Sequence, residues 1–282
     1  MAKAARYLNE AQKEFCGIIN GLCGSKAVWQ VWTDFLECTA LSLSNCFDRA
    51  GEVHDKREKQ YQEIVRGYTA EELDGLTRLA ACTTEALMDN PNQDFLGEMY
   101  TALDLNSHWH GQFFTPYHIS HFMARISISK EDSVLRKRGW IGIHDPACGA
   151  GSLLIAARNV CSEEGIGYRE ALFTAQDVDR VVALMCYIQL SLLGCAGYVV
   201  VGNSLAQPAS CLGSPLLPAF PSPHDVWFTP VFYDEGWQDR IRVGQLLLLV
   251  REVLAETRSE VAAASYHTEE LLADKSGQLR IF

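Results

Sequence analysis

The chain has 282 residues, nearly half of them hydrophobic, which is enough to bury a full core as one large or two modest domains. Its net charge of −11 excludes a simple DNA clamp, because grip on a duplex comes mainly from Lys and Arg neutralising phosphates. No opening stretch reads as a secretory signal and no apolar run reaches spanning length, so a soluble, cytoplasmic protein with no membrane partner is expected.

Taken in chain order, residues 5–22, 26–47, 54–66 and 70–89 carry apolar side chains at three- and four-residue spacing, Leu73, Leu76, Leu79, Cys82 and Ala86 among them. Turn signals at Gly21, Gly24, Gly51 and Asn90-Pro91 separate or end these runs. The pattern predicts an all-helical N-terminal domain over residues 1–106, and by itself fits a packing or oligomerisation module. The short basic clusters, Lys56-Arg57 with Lys59 and Arg136-Lys137-Arg138, are offset by Glu58 and by Glu131-Asp132 and read as solvated faces. Ten cysteines are scattered without a Cys-x-x-Cys pair and read as reduced core thiols. His108, His110, His118 and His121 have short spacings that suit a metal, but no carboxylate or thiolate stands at a familiar interval. They are read as surface and capping residues, and no metal is expected.

From about residue 140 strand and helix patterns alternate. A strand at 140–144 precedes a helix at 151–162, a strand at 171–176 precedes a helix at 179–193, and a third strand spans 198–201. A fourth candidate strand is Asp225–Phe228, followed by a long helix at 239–264 and a terminal strand candidate at Gln278–Phe282. The alternation implies an α/β domain over residues 107–282, a parallel sheet with helices on both faces. Ligands on such sheets bind outside the carboxyl ends of the strands. Asp145 ends the first strand, Asp177 ends the second and Asn203 follows the third, so topology brings three polar side chains to one crevice. Between the first strand and its helix, Gly149 and Gly151 lack the Cβ that would block a ligand, and the new helix offers unpaired N–H groups. This is a nucleotide-type cofactor turn, though neither Gly-x-Gly-x-x-Gly nor a phosphate loop. The run Leu246–Val250 reads as part of a core helix, or as a docking surface if it is exposed.

The wording Asp145-Pro146-Ala147-Cys148-Gly149-Ala150-Gly151 resembles the first motif of the S-adenosylmethionine-dependent DNA amino-methyltransferases, especially the modification subunit of type I restriction-modification systems. Four further segments extend the resemblance in order: Asp94–Tyr100, Gly111-Gln112-Phe113-Phe114-Thr115-Pro116, Ala175–Asp179 and Val199–Leu205. The resemblance implies a Rossmann-like methyltransferase sheet, S-adenosylmethionine as cofactor, and adenine-N6 methylation of DNA. A specificity or partner subunit would supply DNA recognition, in a homo- or hetero-oligomer. The helical N-terminal domain would then lie over the DNA side. Residue by residue, Asp177 would accept the ribose hydroxyls and Asn203 would meet the adenine amine. Asp145 and the loop backbone at Ala147, Gly149 and Gly151 would face the methionine end, Thr115 with Pro116 would bracket its carboxylate, and Phe114 would lay a ring against the cofactor.

One departure from the family pattern concerns chemistry. Family members that methylate amines carry Asn/Asp/Ser-Pro-Pro-aromatic after the fourth strand, and the 282 residues contain no such tetrapeptide. That motif accepts the two hydrogens of the target amine, localising its lone pair, and stacks a ring on the extruded base. Here the candidate strand leads into Thr229-Pro230-Val231-Phe232-Tyr233, with the Thr229 hydroxyl and Pro230 carbonyl as acceptors and Phe232 or Tyr233 as the stacking ring. The site is thus either remodelled or lapsed. Three functions stand: an adenine-N6 DNA methyltransferase with an unusual motif, a lapsed cofactor-binding homologue acting as a subunit or regulator, and a methyltransferase for another substrate. Only about fifty residues follow the motif, so the sheet is expected to be short or completed by another chain.

Overall fold

Asn9 and Thr69 open two of the N-terminal helices as reciprocal capping boxes with Gln12 and Glu72. Each such cap contributes about 1 kcal/mol to the local helix. The structure, a computed structural model, describes residues 8–24, 26–48, 51–105, 114–211, 216, 218–219 and 225–272. Five helices come first: α1 (Glu10–Leu22), α2 (Val28–Phe47), α3 (Glu52–Val65), α4 (Ala70–Asp89) and α5 (Phe95–Ala102). Their apolar faces meet around Phe15, whose ring stands edge-on to Trp32, Phe35 and Phe95 at centroid distances of 5.6–5.9 Å. The predicted helices at 26–47, 54–66 and 70–89 agree with α2, α3 and α4 to within two residues, and the one at 5–22 ends with α1, its first residues lying outside the described ones; α5 is an element the sequence pattern did not predict.

Two short helices, α6 (Tyr117–Ser127) and α7 (Ser133–Arg138), lead to the sheet. Strands β1 (Ile141–Asp145), β2 (Ala171–Asp177) and β3 (Ala196–Val201) are parallel and lie side by side in chain order, joined through α8 (Ser152–Glu163) and α9 (Arg180–Leu192). Because both crossovers step the same way, right-handed connections put α8 and α9 on one face, where they also touch each other. The expectation of helices on both faces is corrected here. Gln176 on the second face reaches the loop at Gly202, Gln207 and Ala209, and Tyr198 meets Phe232 of the 3-10 turn Pro230–Tyr233. A two-residue ladder of β4 (Ser210–Cys211) and β5 (Pro218–Ala219) lies in the connection that follows β3.

The fourth strand of the main sheet, β6 (Asp225–Phe228), runs antiparallel to β3, with Val201 opposite Asp225 and Tyr198 opposite Phe228. The sheet is therefore mixed, in the order β1-β2-β3-β6. An ion-pair cluster pins β6 there. Arg180 of α9 bonds Asp225 and both carboxylate oxygens of Glu37 on α2, while Arg57 of α3 donates to the Val226 carbonyl at 2.7 Å and to Ser44 Oγ at 2.6 Å. The Arg57 guanidinium also lies 4.0 Å from the Trp227 ring centroid. Arg57 is buried and does not belong to a solvated face, contrary to the reading of its basic cluster.

At the opposite side of the sheet β1 has β2 as its one strand partner among the described residues, and a groove of about 520 Å3 runs along it, lined by Met123, Ile128, Val134, Ile143, Asp145 and Leu154 among others. One hydrophobic core joins the N-terminal helices, α8, α9 and the sheet, from Phe15 and Trp32 to Phe173 and Trp227. The described residues up to Trp237 form one compact unit and those from Gln238 onward another. The second consists of the greater part of α10 (Glu235–Leu272), on which Leu246, Leu247, Leu249 and Val250 are exposed. Within this unit the described residues form a single helix, with no second layer of its own to make the run Leu246–Val250 a core. The terminal segment Gln278–Phe282 lies outside the described residues.

Candidate functional site

The turn after β1 is built from local bonds. Asp145 ends the strand and its Oδ1 accepts from the Ala147 N–H at 3.0 Å, while the Cys148 N–H donates to the Gln176 carbonyl on β2 at 3.0 Å. Gly149 and Gly151 both take left-handed backbone angles, φ of 52° and 97°, and Gly151 is the N-cap residue of α8. A Cβ on Gly149 would press on the Phe114 ring at 3.2 Å, and one on Gly151 would meet Cys186 Sγ at 2.8 Å. Conformation favours glycine at both positions, and at Gly151 the space demands it as well.

Asp177 closes the turn from the next strand. Its Oδ2 accepts from the Gly149 N–H at 2.8 Å and its Oδ1 from the Asp179 N–H at 3.0 Å. Asp145 and Asp177 thus stand at adjacent strand ends beside one loop, as topology predicts. Asp145 is buried, its Oδ2 has no partner, and burial pushes its carboxyl above the usual range, with the nearby Asp177 charge adding to the rise. An orphaned buried carboxylate oxygen at the mouth of a glycine turn suits a cationic donor such as the ammonium of a methionine moiety.

Asn203 follows β3 and is exposed, but its Oδ1 already accepts from the Leu205 and Ala206 N–H groups at 2.9 and 3.1 Å. Both lone pairs of that oxygen are engaged, which leaves the amide NH2 as the group Asn203 can offer. A donor matches an adenine ring nitrogen rather than the adenine amine. Phe114 stands edge-on to Tyr100 at 5.5 Å and lies against Gly149, and Thr115 and Pro116 carry the chain from it into α6. Ser120 of α6 bonds Ser152 of α8 at 2.9 Å, tying that segment to the turn.

Thr229, Pro230, Phe232 and Tyr233 are not brought to this crevice. Because β6 runs antiparallel, it delivers Thr229 beside Gly197, near the start of β3, about 13 Å along the strand from the level of Asp177 and Val201. Thr229 is fully buried; its hydroxyl bonds the Cys195 and Gly197 carbonyls at 2.7 and 3.1 Å and stands 2.9 Å from the Gly197 nitrogen. Pro230 opens a 3-10 turn to Tyr233, Phe232 stacks on Phe228 at 5.1 Å, and Tyr233 stacks on Phe47 at 6.2 Å. These side chains fill the sheet's lower edge.

Several contributing residues escaped the sequence reading. Gln176 organises the turn and the chain after β3, and Gln189, buried on α9, bonds the turn's own backbone at Ala150. Buried glutamines within apolar runs are the signal that could have found them, since such amides persist only where they are hydrogen-bonded. His108 and His110 lie outside the described residues, His118 is exposed, and His121 sits 3.2 Å from Glu163.

Comparison with known proteins gives the family. The family described as N-6 DNA Methylase matches residues 92–259, from the buried Asp94 region through the glycine turn and β6 into α10. The chain belongs to that family. It is also similar to the type I restriction enzyme MpnII methylase subunit of Mycoplasma pneumoniae, at 33% identity over 82 residues. That match covers 29% of this chain and 14% of the relative's length. The matched stretch is thus a small portion of that much longer subunit, while the turn lies within the residues that the family matches.

Proposed function

We propose that this chain binds S-adenosylmethionine at the turn Asp145–Gly151 and does not by itself transfer the methyl group to an adenine amine. It would act as a cofactor-binding subunit or regulator in a DNA-modification system. In this reading Asp145 Oδ2 takes the ammonium of the methionine end, and Ala147, Gly149 and Gly151 admit the cofactor close to the backbone. Asp177 adds the ribose hydroxyls to its two backbone donors, Asn203 offers its amide NH2 to the adenine ring, and Phe114, Thr115 and Pro116 form the facing wall. Bound there, S-adenosylmethionine would supply an electrophilic methyl on a sulfonium.

The observation that carries the reading is the burial of Thr229 at the lower edge of β3, fully hydrogen-bonded and remote from Asp145 and Asp177. No Asn/Asp/Ser-Pro-Pro-aromatic sequence stands elsewhere in the 282 residues to replace it. A second reading, adenine-N6 transfer with the amine acceptors supplied by a partner chain, is favoured by the outer edge of β1, which carries no strand among the described residues and ends at Asp145. Incubation with methyl-labelled cofactor and mixed DNA, with and without the neighbouring gene products, decides between them. No label in N6-methyladenine from the chain alone is expected; label from the chain alone would overturn the first reading, and label only with a partner would establish the second. Failure of millimolar cofactor to raise the melting temperature, with Asp177→Ala behaving like the parent, would sink the cofactor site itself.

A further inference from the structure

The turn is gripped from the N-terminal helices as well as from the strands. Gln189 of α9 has no exposed surface, and its amide has three partners: Nε2 donates to the Ala150 carbonyl at 3.0 Å and to Asp94 Oδ1 at 2.8 Å, while Oε1 accepts from the Leu96 N–H at 3.1 Å. Asp94 is the N-cap of α5, where its Oδ1 also accepts from the Gly97 N–H at 2.9 Å. Ala150 is the residue between the two left-handed glycines, so the direction of its carbonyl reports the path of the turn. A fixed donor on that carbonyl opposes rotation of the peptide between Ala150 and Gly151. From the other end of α5, the buried Tyr100 ring meets Phe114 edge-on, and Phe114 lies against Gly149. Helix α5 therefore touches the turn through two separate side-chain relays, one to Ala150 and one to Gly149.

We propose that α5 is the positioning element of the cofactor turn and that Gln189 is its positioning residue, holding the Ala150 carbonyl so that the Gly149–Gly151 backbone stays open to S-adenosylmethionine. The cofactor part of this rests on the function proposed above; the holding of the backbone does not. Gln189→Met keeps the volume and removes all three hydrogen bonds. Two measurements test it: cofactor affinity by titration calorimetry, and amide hydrogen exchange at Gly149 and Gly151 in the cofactor-free protein. A tenfold or greater loss of affinity is expected, with exchange at both glycines accelerated tenfold or more while Val199 and Val200 in β3 keep their protection. Thr229→Val, which removes buried hydrogen bonds at the far end of the sheet, serves as the control and should leave both readings at the turn unchanged. Equal affinity and equal exchange in Gln189→Met and parent would overturn the proposal, as would uniform acceleration across turn and β3. If Gln189→Met does not fold, Tyr100→Leu decides through the second relay, and parent-like exchange at Gly149 then overturns it. If the parent binds no cofactor, the function reading fails and the exchange data alone judge the role of Gln189.

Discussion

Asp145 has two carboxylate oxygens in unlike situations, one accepting from Ala147 N–H and one buried without a partner. Burial raises its pKa from the ordinary 3.8, so the charged form is penalised in the folded chain. Below pH 3.8 the group is neutral whether folded or unfolded; as pH rises through the elevated folded value, the native state must ionise a group the unfolded chain ionised earlier. Stability from this residue is then lost over that window. Binding of a cationic ligand works the other way, because it needs the carboxylate. We expect S-adenosylmethionine affinity, measured by calorimetry, to increase as pH rises through the elevated Asp145 pKa, with Asp145→Asn abolishing that dependence. The same variant should bind ten- to a hundredfold more weakly, as expected for losing a hydrogen bond to a charged group worth about 1.5–3 kcal/mol. The acidic and glycine residues of the turn were legible in the sequence because each has a local reason to be there. The saturation of Asn203 Oδ1 was not legible, since its donors, Leu205 and Ala206, are set by the chain's bend after β3.

Among the elements, β6 marks the boundary of what pattern can reveal. Its existence was readable from Asp225-Val226-Trp227-Phe228, but its direction and neighbour were not. Those are decided by the ion pairs of Arg180 and by Arg57, which lies 169 residues from its partner Val226 in sequence. The antiparallel direction of β6 seats Thr229 beside Gly197 and away from the carboxyl ends of the parallel strands. Thr229→Val should therefore lower stability by about 1–3 kcal/mol in chemical denaturation, because it leaves buried backbone groups of β3 unpaired, and should leave cofactor affinity unchanged. Gly151→Ala should do the reverse in emphasis: the added Cβ meets Cys186 and must adopt φ of 97°, so cofactor affinity falls steeply and the start of α8 is strained. Crystallography or hydrogen exchange at Ser152–Leu154 would report that strain, and unchanged binding by this variant would contradict the close backbone approach proposed for the turn.

For the whole molecule, charge and linkage give the remaining expectations. With a net charge of −11, the chain alone should not retard duplex DNA in a gel at physiological salt; a stable shift without a partner would show that its few exposed cations are better organised than their number suggests. If the turn binds cofactor, ligand at a hundred times its Kd should add about 2.7 kcal/mol to unfolding, read as a rise in melting temperature that Asp177→Ala diminishes. By itself, the sequence determined the helical start, the three parallel strands, the glycine turn and the acidic strand ends, since periodicity, capping and backbone freedom act over a few residues. Only the tertiary structure decided that β6 lies antiparallel on β3, that Arg57 is buried, and that Gln189 joins α5 to the turn. Each depends on groups far apart in the chain, and such contacts form only once the elements have packed.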